Sequence, residues 1–487
     1  MFQKLKELTK DTAIYGISTM VGRFLNFLLV PFYTNLFPPS EYGIIQLIYA
    51  YIAILNIVYI YGLDSAYLKF AAFKDVGDEK DNFSTPYIAI FLTSIIFSLL
   101  IALNSNSIAE SLRIPDKYEY LINVVALLLV FDSLQVIPYL KLRLERKAVK
   151  FSTFRIINIL VNISLNVILI LVLKWGIEAI VISNVIASFV SFALVTPEIF
   201  KYFRFKIHAE LLKRLLKFGL PYLPAGFAVM IVQVIDVPIL EKLTDFQTVG
   251  IYKANYRMGI FMMLFVNMFQ YAWQPFFLTN AKEENAKQMF AKVLTYFTLV
   301  ASIILVLISL FISDIVHIQI SGYSLIGSEY WSGLSIIPIV LFAYLINGMY
   351  VIFSAGIYIE EKSLYVPFIS GAGALTNVVA NFLLIPIWGI TGAAIATLLS
   401  YLVMTIGYYL VTQKFYKIDY EFNRIFRIFL GITVTAVIYY LLIDKEFFNV
   451  YLKFVLLISF FGYTFLYAVN KNEMVQLRNR LLQKRKK

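Results

Sequence analysis

Long apolar runs separated by short polar segments are the most regular feature of the sequence. A bilayer hydrocarbon core of about 30 Å is crossed by about 20 apolar residues in helical conformation. About fourteen runs of this length follow one another, near residues 12–36, 42–63, 85–103, 119–140, 152–173, 177–197, 219–241, 249–277, 289–313, 334–358, 364–386, 389–412, 425–443 and 450–470. The pattern predicts an all-α integral membrane protein of about fourteen transmembrane helices.

The composition strengthens this prediction and removes several kinds of chemistry. Of the 487 residues, 60% are hydrophobic and 15% are charged, whereas soluble domains carry about 25% charged residues. Cysteine is absent, which excludes disulfides and thiolate metal sites. The two histidines, His208 and His317, are too few and too far apart for a histidine metal centre. We therefore predict neither a cofactor nor a metal.

The net charge of +12 has a topological explanation, because Lys and Arg concentrate in alternate loops. Of the 42 basic residues, 32 fall in segments that would face the cytoplasm and 5 in segments on the opposite side. This distribution predicts a multi-pass protein of the cytoplasmic membrane with both termini in the cytoplasm. The excess positive charge is thus assigned to topology, and nucleic acid is not an expected partner.

Two pairs of matching segments indicate an internal repeat. Residues 31–43 and 238–250 place Pro and Gly at the same spacing. An Asn-x-x-x-Asn motif followed by Trp-Gly-Ile then occurs at residues 162–177 and again at 377–390. Two repeats of six helices each have the same orientation in the membrane. A two-lobed bundle of this kind is the architecture of an alternating-access carrier.

The repeat divides the chain into a predicted series of regions. They are an N-lobe with spans 1–6 at residues 1–200, a basic cytoplasmic linker at 201–218, a C-lobe with spans 7–12 at 219–415, spans 13 and 14 at 416–470, and a basic cytoplasmic tail at 471–487. The tail is expected to lie at the anionic surface of the inner leaflet.

Several short motifs spread over nearly the whole chain carry a family resemblance. They are Leu-Phe-Pro-Pro-Ser-Glu-Tyr-Gly at 36–43, Gly-Leu-Asp-Ser-Ala at 62–66, Val-Gly-Ile-Tyr-Lys-Ala-Asn-Tyr-Arg at 249–257, Gly-Ser-Glu-Tyr-Trp at 327–331, Tyr-Leu-Ile-Asn-Gly at 344–348 and Gly-Ile-Thr-Gly-Ala-Ala-Ile-Ala at 389–396. With these motifs the chain resembles the polysaccharide-biosynthesis and oligosaccharide (O-antigen) flippases of the MATE-like MOP exporter superfamily.

The resemblance implies a transporter, not an enzyme, that moves lipid-linked oligosaccharides or polysaccharide repeat units across the cytoplasmic membrane. The expected partners are a polyprenyl-pyrophosphate-linked oligosaccharide, membrane lipids, and the glycosyltransferases or polymerase of the same pathway. The chain departs from the family pattern in its seventh span. Such proteins often have an Asp-Arg pair there, whereas Val237 follows Asp236 in this sequence.

Cationic side chains inside the spans are the candidate substrate-binding residues. Arg23 lies near the middle of the first span, and Thr19, Arg23 and Asn26 form one polar stripe on that helix. An arginine fork suits a pyrophosphate, while the alternative is a structural partner for backbone carbonyls or for Asp132. On the eighth span Lys253 and Arg257 lie one turn apart. For Lys253 the alternative is extension to the membrane interface.

Two acidic side chains inside the spans are candidate ion-coupling residues. Asp236 lies in the seventh span and Asp132 in the fourth. Either could bind a coupling H⁺ or Na⁺, and Asp236 could instead pair with Lys253. A buried ionisable group in a membrane span is by default a functional candidate, because burial without a partner costs a few kcal/mol.

Two other classes of protein share this hydropathy pattern. A MATE-type cation-coupled drug antiporter has the same two lobes, but it usually has twelve spans and an acidic cavity. A membrane polysaccharide polymerase carries a large outer loop with catalytic Arg or His residues. Here the longest outer loop, residues 313–333, contains neither Arg nor Lys. The sequence therefore favours the flippase over both alternatives.

Overall fold

The computed structural model describes residues 16, 20–73, 76–319, 322–443, 445 and 449–468. The predicted basic tail at 471–487, Thr19 and the lysines that precede the first span lie outside the described residues. Helices make up nearly all of the described part, so the predicted all-α fold is confirmed.

The helices follow one another along the chain with short connections. Their bounds are α1 Leu29–Leu36, α2 Pro39–Ile60, α3 Leu63–Phe73, α4 Glu79–Leu103, α5 Ser105–Ser111, α6 Leu121–Leu134, α7 Val136–Leu144, α8 Ala148–Val167, α9 Glu178–Tyr202, α10 Ala209–Gly219, α11 Leu223–Val234, α12 Asp236–Leu243, α13 Phe246–Tyr256, α14 Ile260–Asn280, α15 Ala286–His317, α16 Ile337–Ile359, α17 Tyr365–Phe415, α18 Phe422–Leu442 and α19 Val450–Ala468.

Within the described part of the chain, eleven helical segments are long and apolar enough to cross a membrane. They do not include the predicted first span, which lies partly outside the described residues. Nor do they include the predicted eighth span, where the short 3₁₀ turn Arg257–Gly259 separates α13 from α14. The multi-span architecture is thus confirmed, and the count of fourteen stays a prediction.

Helix α17 covers two predicted spans. Its 51 residues would extend about 76 Å at a rise of about 1.5 Å per residue, more than twice the thickness of a hydrocarbon core. The backbone leaves helical geometry at Gly389, where φ is 53° and ψ is −129°. A side chain is strained in that conformation, so glycine is required at this break. The Pro-Ile-Trp-Gly segment at 386–389 therefore separates two helices with no loop between them.

The described chain forms two compact units. The first comprises the described residues up to Ala254 together with Gly327–Tyr330 and Asn377–Ala393, and the second comprises the described residues of Asn255–Ile326, Trp331–Thr376 and the part from Ala394 onward. A buried aromatic and aliphatic cluster in the first unit includes Tyr67, Phe83 and Tyr139. Burial of such side chains contributes about 1.5–3 kcal/mol each relative to exposure to water.

Helices α3 and α10 lie in two segments that were predicted as polar connections, and they pack against each other in the first unit. Helix α10 occupies the segment predicted as a basic linker, and its Leu211 and Leu215 are fully buried. Gly219 at its end approaches Gly62 so closely that an added Cβ would lie 2.8 Å from the Gly62 carbonyl oxygen. Charged residues on the other face of α10 stay exposed, which makes it an amphipathic surface helix.

In the second unit, small and hydroxyl-bearing residues bring helices close together. Thr405 and Thr412 donate hydrogen bonds to the carbonyls of Ile346 and Phe353, at 3.1 and 2.6 Å. These contacts join the second half of α17 to α16, as small residues commonly do between membrane helices. The last helix is attached by an ion pair, in which the buried Lys453 lies 2.6 Å from Asp314.

Candidate functional site

Arg23 and Asn26 are exposed on one face of a helical stretch at residues 20–27. The spacing of three residues places both side chains on the same side of the helix. Among the described residues, none forms a hydrogen bond or ion pair with the Arg23 guanidinium. Arg23 and Asp132 therefore do not pair in this conformation.

Asp236 lies at the start of α12 and is 2% exposed. Its carboxylate accepts a 2.6 Å hydrogen bond from the Tyr252 hydroxyl, and the Val237 backbone N–H also donates to it, at 3.1 Å. The Lys253 ammonium is 4.0 Å away. The structure thus brings together two of the predicted site residues, Asp236 at the start of α12 and Lys253 in the last turn of α13.

Asp132 belongs to a chain of polar side chains that sequence reasoning missed. Ser188 and Gln135 donate hydrogen bonds of 2.7 and 3.0 Å to its carboxylate. Ser191 donates to Gln135 at 2.6 Å and also contacts the hydroxyl of Tyr139. These residues come from α6, α7, α9 and the junction between α6 and α7. Ser188 and Ser191 lie three positions apart on one face of α9, but serines at this spacing do not by themselves indicate a network.

Arg257 is half-buried in the 3₁₀ turn between α13 and α14, in the second unit. The adjacent Gly259 lies against α16, where an added Cβ would come within 2.6 Å of Val340. Further along the predicted eighth span, the Asn267 amide nitrogen is buried and has no hydrogen-bond partner among the described residues. Arg23, in contrast, belongs to the first unit, so the two candidate arginines lie in different units.

Two glycines of the predicted repeat make reciprocal contacts between α2 and α13 in the first unit. A Cβ added to Gly43 would lie 1.8 Å from the Phe246 carbonyl oxygen, and one added to Gly250 would lie 1.9 Å from the Pro39 carbonyl oxygen. Gly250 lies 207 positions after Gly43, and Phe246 lies 207 positions after Pro39, so each contact is the repeat equivalent of the other. The two helix starts therefore meet at a distance that only glycine permits.

The segment Gly327–Tyr330 covers the neighbouring end of α1. The Gly327 N–H donates to the Thr34 hydroxyl at 3.1 Å, and the Tyr330 hydroxyl donates to the Phe37 carbonyl at 2.8 Å. The Tyr330 ring also packs edge-on against Tyr42, with centroids 5.9 Å apart. These contacts lie at the ends of the spans that the charge pattern predicts to face out.

The paired asparagines of the repeat adopt the same local geometry twice. Asn166 donates to the Asn162 carbonyl, and Asn381 donates to the Asn377 carbonyl, both at 2.9 Å. The first pair differs from the second in one contact, because Tyr33 donates a 2.8 Å hydrogen bond to the Asn166 side chain. The prediction of two equivalent lobes stays a prediction, and this recurrence is in its favour.

A network of ion pairs holds the other ends of the first-unit helices. The buried Lys141 lies 2.5 Å from Glu79 and 3.3 Å from Glu145, beside a cavity of about 360 Å³. Burial favours the neutral acid. However, hydrogen bonds from Lys147 and Tyr202 and the charge of Lys141 outweigh it and lower the pKa of Glu145 to about 2. Glu145 is therefore ionised at neutral pH.

The described helices are apolar and carry ionisable side chains along their spans, which is the arrangement of a membrane transporter. The chain belongs to the polysaccharide biosynthesis protein family, whose sequence model matches residues 34–322. The resemblance drawn from the motifs is confirmed by this match, which covers more than half of the chain. Family and fold together support a transporter of the flippase class over an enzyme.

Solved membrane proteins share the fold at low sequence identity. Lipid II flippase MurJ, in an inward closed conformation, has a TM-score of 0.71 and 16% identity, over 93% of this chain and 98% of that one. An inward-facing multidrug resistance MATE family transporter of the MOP superfamily has a TM-score of 0.65 and 14% identity, over 83% and 97%. The Vibrio cholerae MATE transporter VcmN, in its bent form, has a TM-score of 0.54 and 13% identity, over 84% and 96%. No curated protein matches the chain.

Proposed function

We propose that the protein is a flippase that translocates polyprenyl-pyrophosphate-linked oligosaccharides or polysaccharide repeat units across the cytoplasmic membrane. The observation that carries the proposal is the exposed guanidinium of Arg23 within an apolar span. An arginine facing lipid at that depth costs at least about 2.5–3.5 kcal/mol. The cost is avoided when the side chain faces an aqueous cleft that receives an anionic headgroup.

The chemistry of the substrate follows from the charge of the span residues. Arg23 in the first predicted lobe and Arg257 in the second offer planar forks that can each form two hydrogen bonds with a phosphate. Asn26 adds an amide on the Arg23 face. Lys253 adds a positive charge that Asp236, 4.0 Å away, partly offsets. A similar fold is found in a lipid II flippase, which supports a lipid-linked substrate for this chain as well.

Alternating access explains the contacts at the helix ends that are predicted to face out. We propose that the reciprocal contacts of Gly43 and Gly250, together with Gly327–Tyr330 over α1, close the outer end while substrate enters from the cytoplasm. Rocking of the two predicted lobes would then open that end and close the inner one. An inside-negative potential favours outward movement of an anion by about 2.3 kcal/mol per charge per 100 mV.

The proposed orientation can be tested with single cysteines, because the chain has none of its own. Lys80 and Tyr323 are both exposed in short polar segments on opposite sides of the predicted topology. We expect a membrane-impermeant thiol reagent added to intact cells to label Tyr323→Cys and not Lys80→Cys. Both variants should label after the cells are permeabilised. Labelling of Lys80→Cys alone in intact cells would show that the topology is the inverse of the predicted one.

The transport activity can be tested with purified protein in liposomes. We expect the protein to move a fluorescent polyprenyl-pyrophosphate-linked oligosaccharide between leaflets, because its cationic span residues match the headgroup. Loss of lipid fluorescence to an impermeant quencher measures this movement. Movement of cationic drugs in exchange for H⁺ or Na⁺, with no effect on the lipid, would instead establish the antiporter alternative. Growth of the glycan chain would indicate a polymerase.

A further inference from the structure

A small cavity lies within the second unit, beside the C-terminal end of α14, which faces the cytoplasm in the predicted topology. Its volume is about 100 Å³, well below the roughly 300–1,000 Å³ of pockets that enclose a whole drug-sized ligand. Aromatic and amide side chains dominate its lining, among them Gln270, Trp273, Gln274, Tyr350, Tyr358 and Tyr408. The space therefore fits one edge of a single ring and not a complete oligosaccharide.

Helix α14 contributes four of the lining residues, Gln270, Trp273, Gln274 and Phe277, which lie along one face of the helix. Gln270 and Gln274 are exposed, while Trp273 between them is 3% exposed and packs against the rings of Phe269 and Phe290. The buried Trp273 Nε1–H has no acceptor in the part of the chain that the structure describes. A buried donor without a partner costs about 1–3 kcal/mol. The nitrogen has almost no accessible surface in this conformation, so a ligand oxygen removes that cost only when the rings around it move apart.

The opposite wall is formed by tyrosines of α16 and α17. The Tyr350 and Tyr408 rings are stacked, with centroids 5.0 Å apart and planes 26° from parallel. Tyr358 lies at the rim, where it is 56% exposed and packs against Phe277. Rings held by packing in this way form a preorganised surface that loses little entropy when a ligand binds.

We propose that this cavity is a monosaccharide-binding subsite for the glycan part of the substrate. A sugar ring has an apolar C–H face, which packs on aromatic rings, and a rim of hydroxyls. Each glutamine amide both donates and accepts hydrogen bonds, as a rim of hydroxyls requires. Among the described residues that line the cavity, none is charged, so the lining suits a neutral ring better than a pyrophosphate.

The position of the cavity along α14 agrees with a substrate that is anionic at one end and neutral at the other. Arg257 and Trp273 lie in the same unit and are separated by 16 positions along the chain. At about 1.5 Å per residue this corresponds to about 24 Å of helix, which is the length of several linked sugars. This assignment rests on the proposed function, in which Arg257 contacts the pyrophosphate.

The test separates glycan binding from lipid binding with two probes on purified protein in lipid nanodiscs. The first is the free oligosaccharide released by mild acid from the lipid-linked pool of a strain lacking this gene, and the second is polyprenyl pyrophosphate without sugar. We expect the double variant Gln270→Ala/Gln274→Ala to bind the free oligosaccharide about 5–150-fold more weakly, because the two amides contribute about 0.5–1.5 kcal/mol each. Its affinity for polyprenyl pyrophosphate should not change.

A second variant and two controls keep the result interpretable. Trp273→Phe retains the ring packing but removes the indole N–H, and it should also weaken oligosaccharide binding. Gln288→Ala and Trp388→Phe make the same kinds of change at exposed positions outside the cavity and should bind both probes normally. Unchanged oligosaccharide binding by both cavity variants, or no oligosaccharide binding by the wild type beside normal lipid binding, would overturn the subsite alone. If the wild type binds neither probe, the flippase proposal itself fails.

Discussion

Replacement of Gly43 or Gly250 by alanine is expected to open the end of the protein that these glycines close. The added Cβ would lie within 2 Å of a backbone carbonyl oxygen, and no side-chain rotation relieves a collision with backbone. Overpacking of this kind costs about 1–3 kcal/mol. Because that cost falls on the conformation in which α2 and α13 touch, the equilibrium should shift about 5–150-fold towards the opened state.

A cysteine at Thr34 can report this shift. Thr34 is 4% exposed and lies beneath Gly327, so Thr34→Cys should react slowly with a thiol reagent in an otherwise wild-type chain. In the Gly43→Ala or Gly250→Ala background its labelling rate should rise by a comparable factor, and lipid flipping should fall. Gly462→Ala is a matched control, because nothing lies within 4 Å of its added Cβ. Equal labelling in all three backgrounds would contradict the proposed closure.

Arg23→Ala is expected to abolish lipid flipping while leaving membrane insertion intact. A bidentate contact with pyrophosphate consists of two charge-assisted hydrogen bonds, each contributing about 1.5–3 kcal/mol. Their loss corresponds to at least about a hundredfold weaker headgroup binding. The liposome assay measures the flipping rate, and binding of polyprenyl pyrophosphate measures the affinity directly.

Two further variants separate the role of the Arg23 fork from that of charge alone. Arg23→Lys should restore only part of the activity, because an ammonium keeps the charge but loses the planar fork. Arg143→Ala removes an exposed arginine at the end of α7, and it should flip lipid at the wild-type rate. Full activity of the Arg23→Ala variant would show that this residue is dispensable and would remove the observation on which the proposed function rests.

The spans and the family were predictable because both depend on local sequence. A stretch of about 20 apolar residues determines that a segment lies in a membrane, whatever its neighbours are. The Pro and Gly spacing at residues 31–43 and 238–250 also marked the two helix starts that meet in the first unit. Their reciprocal contact, in contrast, depends on how two distant segments pack, and spacing along the chain does not specify that.

The helices α3 and α10 show what hydropathy alone misses. Both were predicted as polar connections between spans. Helix α3 carries Asp64 and Lys69, and α10 carries four charged residues. In α10, however, Leu211 and Leu215 recur at the spacing of one helical face, so an amphipathic pattern was available in the sequence.

The partners of the candidate site residues were partly predictable. Pairing of Asp236 with Lys253 follows from two opposite charges in neighbouring spans. The contacts of Asp132 with Ser188 and Gln135 could not be predicted, because single hydroxyl and amide side chains are too common in membrane helices to indicate a network. The direction in which Arg23 faces also depends on tertiary packing, and the sequence could specify only its depth.

The break at Gly389 has a consequence for how the chain enters the membrane during synthesis. Two apolar helices that meet at a single glycine, without a polar loop, leave the ribosome as one uninterrupted hydrophobic stretch. We expect such a stretch to insert as a helical hairpin, with both arms entering together and the turn at Gly389 reaching the far interface. Because only glycine adopts the turn conformation without strain, its replacement would disturb the topology of every later span before any transport could occur.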